Sequence, residues 1–444
     1  MSILALAVCV SVSYTFAIEV TMAMDKWVVF ISTAVRLFFI SGCIKANGVI
    51  LEEFVDKLET NHSLVAWAFS LQHGLAYMFT PVTELLLRVF SNRQIAVVGG
   101  FVVGLSYIYC GCCVLTDWQL VLAFTASGAG FGLASLPSYL VLEQHFQEDF
   151  PTALSLSATC NYIGIGVLPL FLQYLKNKYG TESGLILLGA ILWHLIPCGL
   201  GLLSPKSADG EQTSEESDEP IILCQAIDNI NMREKSFFQK YFSYFSSMYH
   251  HRNFTILIGV DFVAGLVFTS WALFLVSLGT TKGFTGDEAV FLSTAGGVGG
   301  IVGVVACALL FHYKKVNAYT GCLIPGAIVA ITLIACAVLN EFSLLSILTF
   351  MTGFGMGIFG ISLLGLIPKL VCRRHFRQAV VINFLADGIA FQLGGFISGI
   401  IQDSLGSTEY VFLFDGLLCF LMFPWILIWA CNDEPVTTEC LTED

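Results

Sequence analysis

The sequence predicts an all-α polytopic membrane protein, twelve transmembrane helices in two six-helix bundles, and three observations carry that prediction. Charged residues make up only 12% of the 444 positions against 56% hydrophobic, and the mean hydropathy is +0.80; a soluble domain carries about 25% charged residues. Twelve apolar runs are each long enough to approach or cross a hydrocarbon core, which takes about 20 residues of helix. These runs fall six and six around a 50-residue polar stretch, Ser204 to Asn253. As a soluble chain of this length the protein would need several charged exteriors, and 20 Lys and Arg with 33 Asp and Glu cannot supply them. A soluble multidomain enzyme is excluded.

The elements follow in order. Met1 to Val20 is nearly uncharged, long enough for a further span or a signal peptide, yet lacks a basic leading region. Met22 and Met24 offer alternative starts, and residues 1–26 receive no function. The first bundle, 27–203, holds runs at 27–50, 64–87, 95–115, 119–141, 152–175 and 184–203; the second, 254–431, holds runs at 254–278, 289–311, 318–339, 342–367, 378–401 and 410–431. Between them, residues 204–253 open with an acidic low-complexity run and close with Arg233 to Arg252, where seven aromatic residues alternate with basic ones. That pattern predicts a linker with an amphipathic helix in the headgroup layer. Residues 432–444 form an acidic tail.

Charge orients the chain. With Trp27 on the cytoplasmic side, fourteen Lys and Arg fall inside and four outside (Lys57, Lys176, Lys178 and Lys282), so both termini and the linker are expected in the cytoplasm. The net charge of −13 argues against nucleic acid as a partner. Fifteen cysteines scattered through apolar runs read as small core fillers, and Cys110, Cys112 and Cys113 lack the neighbours of a metal site. The sequon Asn61-His62-Ser63 abuts the second run too closely for ready glycosylation.

Charges inside spans are costly, at least about 2.5 kcal/mol at mid-bilayer, and so point to function. Arg36 and Lys45 lie in the first run, Glu84 near the end of the second, Asp261 in the seventh and Asp387 in the eleventh. Arg36 and Asp261 sit at similar depth and are expected either to pair across a central cavity or to be satisfied separately in their own halves. Lys45 is expected to face an anionic substrate or to carry a proton, the alternative being extension to the outer interface. Asn161 and Asp387 line the cavity or hydrogen-bond a neighbouring helix. His73 either relays a proton or packs as a hydrogen-bonded core histidine. Glycines 296, 297, 299, 300 and 303, with 353, 355, 357 and 360, predict close helix contact. Ala153 to Gly180 overlays Ala379 to Gly406 at an offset of 226, which suggests two halves related by an axis along the membrane normal.

Asp25-Lys26-Trp27, Lys45 eighteen residues on, Gly48-Val49 and Glu52-Glu53-Phe54, together with Pro81, Phe90, Arg93, Gly99 and Gly100, form an ordered series. Pro137, Phe146, Pro151, Ala153, Leu156 and Gly164 extend it, as do Gly399, Asp403 and Gly406. In these residues the chain resembles the monocarboxylate transporter family, solute carrier family 16, of the major facilitator superfamily. The resemblance implies the major-facilitator fold, a proton- and substrate-binding role for Lys45, symport at the plasma membrane, and a single-span accessory glycoprotein in some members. Two departures stand out. Gln147-Glu148-Asp149 replaces a basic stretch, and Gly299 and Gly303 occupy the positions where lactate carriers place an Asp and an Arg.

The expected function is secondary or facilitative transport of a small organic solute, a monocarboxylate or amino-acid-like acid, by alternating access, with or without proton coupling. The other reading is a membrane receptor or sensor that retains the fold. Candidate substrate- or proton-binding residues are Lys45, Arg36, Asp261, Asp387, Asn161 and His73. The expected partners are a small organic anion, protons, the lipid bilayer and an accessory glycoprotein. No catalytic constellation, cofactor or metal is expected.

Overall fold

The computed structural model describes residues 2–203, 252–312, 318–370 and 376–431, with side chains described for most of these from Asp25 onward. The interfacial helix expected at Arg233 to Arg252 and the acidic tail lie outside the described residues. Every regular element among the described residues is helical.

In the first bundle α1 runs Ser2–Leu58, α2 His62–Met78, α3 Thr80–Leu86, α4 Asn92–Cys113, α5 Asp117–Phe146, α6 Phe150–Tyr179, α7 Thr181–Leu192 and α8 Leu195–Leu200. In the second, α9 is Arg252–Thr281, α10 Gly286–His312, α11 Ala318–Val338, α12 Phe342–Leu370, α13 Phe376–Leu405, α14 Thr408–Phe420 and α15 Met422–Cys431. Eleven stretches are long and apolar enough to cross a membrane as single spans. The twelfth is the second run, which breaks at Phe79 into α2 and α3, where Pro81 opens the new helix.

Local chemistry sets the ends. Ser91 and Gln94 form a capping box at α4, Thr116 and Gln119 another at α5, and the Ser407 hydroxyl accepts from the Glu409 amide to start α14. Gly180 and Gly406 end α6 and α13 in left-handed backbone, φ 82° and 69°. Each donates its amide to the carbonyl four residues back, at 2.9 and 2.8 Å.

Those two glycines are 226 residues apart, and so are the starts of α6 and α13; the starts of α4 and α11, α5 and α12, and α7 and α14 are separated by 226, 225 and 227. The repeat read in one pair of spans thus extends through four pairs. Within the first bundle α1 packs on α6 and α4 on α5, α7 and α8; within the second α10 packs on α12, α11 on α12 and α14, and α9 on α13. The bundles meet through α2 on α13, α6 on α10 and α1 on α9.

Glycine lets several of these helices approach to backbone contact. A side chain at Gly299 or Gly303 would collide with the Phe350 or Phe354 carbonyl of α12, and one at Gly353 with the Gly296 carbonyl. The α10–α12 seam therefore has no room at positions 299 and 303 for the Asp and Arg of lactate carriers.

Candidate functional site

The interface between the bundles carries three polar tiers. The first joins them near the C-terminal end of α1. His62 opens α2 and holds Glu52 of α1 at 3.0 Å through Nε2 and Asp403 of α13 at 2.9 Å through Nδ1. The His62 and Ser63 amides also donate to the two Asp403 oxygens, each at 2.9 Å. The other Glu52 oxygen accepts from Ser277 of α9. Asp287 of α10 accepts from Gln173 and Asn177 of α6, at 3.0 and 3.1 Å. Bonded to Glu52 first and Asp403 second, His62 has its pKa raised above the ordinary histidine value despite partial burial. This latch was missed in the sequence, where His62 drew notice only as the middle of a sequon.

The second tier is Lys45. It is fully buried, and its ammonium donates to the Trp271 carbonyl at 2.8 Å while lying 3.5 Å from the centre of the Trp271 ring. Extension to an interface is thereby replaced by a contact between bundles, α1 to α9. Beside it Asn47, Gln72, Tyr107 and Ser127 close a buried network: Asn47 donates to Gln72 at 2.7 Å, and Gln72 donates to Ser127 at 2.7 Å and to Tyr107 at 3.0 Å. His73 is buried among Tyr77, Phe268 and Phe391, the last with ring centres 4.4 Å apart. Its Nδ1 has no hydrogen-bond partner among the described residues, and the recorded contacts of the ring are aromatic.

The third tier lies deeper toward the α1 N-terminal side. Arg36 donates to Ser135 of α5 at 2.8 Å and stacks 4.8 Å from the Tyr139 ring. On the other bundle Asn383 donates through one nitrogen to Asp261 at 2.7 Å and to Asp387 at 3.1 Å. Arg36 and Asp261 do not form the ion pair entertained above; each finds partners in its own half, because depth alone does not turn two side chains toward each other. Between the two groups stand rings: Tyr139 and Phe384 have centres 5.7 Å apart, Tyr77 and Phe384 5.3 Å. Asn161 accepts from Ser41 at 2.9 Å, bonding α6 to α1 within the first bundle.

A further buried acid escaped the sequence reading. Asp415 of α14 is 2% exposed and accepts from Ser270 at 2.5 Å, and Ser270 accepts from Ser398 at 2.7 Å. A charge inside the last apolar run was the available signal. No group of three or more metal-ligating side chains occurs among the described residues.

Known proteins bear on this arrangement. The family described as Major Facilitator Superfamily matches residues 29–339. Monocarboxylate transporter 2 of Meriones unguiculatus is 23% identical over 425 residues, covering 90% of this chain and 83% of its own length. Monocarboxylate transporter 14 of Homo sapiens is 22% identical over 462 residues, covering 91% and 90%. Among solved structures, a POT family transporter in complex with a thioalcohol-conjugated peptide superposes with a TM-score of 0.72 at 14% identity, over 92% of this chain and 96% of its own. A point mutant of the nucleoside transporter NupG gives 0.67 at 13% identity, over 92% and 100%. These relatives are transporters, which disfavours the receptor reading. The chain belongs to the Major Facilitator Superfamily, as a divergent member resembling the monocarboxylate transporters, and is a facilitative or secondary transporter of small organic solutes.

Proposed function

We propose that the transported solute is a small organic acid, a monocarboxylate or amino-acid-like acid, and that its movement is coupled to protons through Lys45. One observation carries the reading. Lys45 is a fully buried cation on the contact between the bundles, whose recorded partners are a carbonyl and an aromatic ring, not a carboxylate. A buried charge without an opposite charge is poorly compensated, and a substrate carboxylate or loss of the proton relieves it. Because Trp271 belongs to the other bundle, parting the bundles breaks the hydrogen bond and frees the ammonium. Substrate arrival and bundle movement then act on one group.

Arg36 supplies a second cation deeper in the chain, while Asp261, Asp387, Asn161 and His73 line or brace the path. The positive-inside count makes the His62–Asp403 end the outer one and puts both termini in the cytoplasm. The plasma membrane and a single-span accessory glycoprotein belong to the same reading, by likeness to the monocarboxylate transporters. The test is uptake of labelled lactate and related acids in oocytes with and without a proton gradient. Lys45→Gln is expected to abolish uptake or strip it of pH dependence at unchanged surface abundance. Unaltered, pH-sensitive flux in that variant overturns the role of Lys45.

A further inference from the structure

The acid cluster on the second bundle is incompletely satisfied in a particular way. Asn383 is 2% exposed and spends its amide nitrogen on two carboxylates, so its carbonyl oxygen and Asp387 Oδ1 are left as buried acceptors without a donor among the described residues. Opposite, Arg36 is 3% exposed with Nε and Nη2 left as buried donors without an acceptor. Native interiors rarely leave such groups alone, and here the two walls lack complementary things: one a donor, the other an acceptor.

A shared proton between Asp261 and Asp387 would ease their mutual repulsion but brings a single O–H donor to several acceptors. A primary ammonium brings three donors and a positive charge, and accepts nothing. Phe384, adjoining Asn383, and Tyr77 and Tyr139 beyond it offer ring faces to such a cation and to apolar carbon. A small void beside Arg36, lined also by Ser32, Ser138 and Leu202, has room for about one water, which can serve the guanidinium but not the acid cluster.

We infer that the substrate bears an ammonium group as well as a carboxylate, and that Asp387, Asp261 and the Asn383 carbonyl bind the ammonium while the carboxylate faces α1, whose buried cations are Lys45 and Arg36. This rests on the organic-acid transport proposed above, and it narrows that class to zwitterions. The roles of the two walls follow from charge. A carboxylate alone, presented to two acidic side chains, is repelled by them; a zwitterion satisfies both walls at once.

The test compares matched compounds that differ only by ammonium for hydroxyl: 4-aminobutyrate against 4-hydroxybutyrate, and phenylalanine against 3-phenyllactate. Each is measured as flux into liposomes holding the purified full chain and as a shift in its melting temperature. The inference expects the ammonium member of at least one pair to be favoured about tenfold or more, the discrimination of a charge-assisted hydrogen bond. Asp387→Asn is expected to bring that ratio near one. If Asp387→Asn does not fold, the melting shifts of the wild-type protein decide alone. Equal or better transport of the hydroxy acids, or a ratio that survives Asp387→Asn, overturns the inference and leaves organic-acid transport standing. No flux and no melting shift with any of the four overturns both.

Discussion

Lys45 and Trp271, joined by a hydrogen bond of 2.8 Å, are 226 residues apart. That is the offset by which α6 overlays α13 and Gly180 overlays Gly406. The contact joins α1 of the first bundle to α9 of the second through a single side chain. The buried cation lies where the two bundles meet. A group there contacts both bundles through one side chain, which suits it to sense their separation.

Trp271 anchors this contact through its ring as well as its backbone. Trp271→Ala keeps the carbonyl but removes the ring beneath the ammonium and opens a large hole, with losses of about 3–5 kcal/mol for such truncations and up to about 2 for the cation–π contact. Trp271→Phe retains an aromatic face and is expected to lose less than half as much. Thermal melting of the purified variants in one detergent orders them; equal melting temperatures would refute the contribution of the ring.

The His62 latch is expected to respond to pH. Its pKa is raised by Glu52 and then Asp403, so the closed end gains stability that is fully present below the ordinary histidine value of 6.5. The gain is lost as pH rises through the higher value in the closed state. Acid therefore favours closure at this end, and His62→Gln removes the dependence. Spin-label distances between α2 and α13 across pH 5 to 9 read this directly, and a pH response retained by His62→Gln would contradict it.

Asn47, Gln72, Tyr107 and Ser127 share one network, so removing one partner orphans others. Hydrogen bonds between membrane helices average about 0.6 kcal/mol, whereas a buried polar group left unpaired costs about 1–3. Gln72→Leu is expected to destabilise by the larger figure. Pairing it with Tyr107→Phe is expected to recover part of the loss, a non-additivity that a double-mutant cycle on melting detects. Strict additivity would dissolve the network into independent bonds.

The glycine seam between α10 and α12 is closed to side chains at positions 299 and 303. Gly299→Leu and Gly303→Arg each drive a side chain into an α12 carbonyl. Both are expected to abolish the monodisperse folded fraction on size-exclusion chromatography. Gly360→Ala, where a Cβ meets nothing within 4 Å, is expected to leave it intact. Folded Gly303→Arg protein in wild-type amount would show that the seam yields.

The span pattern was legible because lipid demands long apolar runs and little else, and the repeat survived because both halves obey the same packing. Arg36 illustrates where such reading stops. Its depth was readable, but its partner, Ser135, depended on how α1 and α5 are rotated, which one sequence does not encode at that precision. Asp415 stands alone among apolar neighbours in the sequence, and its bond from Ser270, 145 positions away, forms only when α9 and α14 pack. His62 and Asp403, 341 positions apart, meet only because the bundles do.

The seam between α10 and α12 also bears on how this transporter can change its cargo. Selectivity in many carriers drifts by single substitutions at the cavity wall. Here the two places at which a lactate-type acid pair would be installed are filled by a neighbouring backbone. No one-step mutational route restores that chemistry; both helices would have to be rebuilt together. The seam holds the two helices in backbone contact, and that contact is what the exchange would have to break.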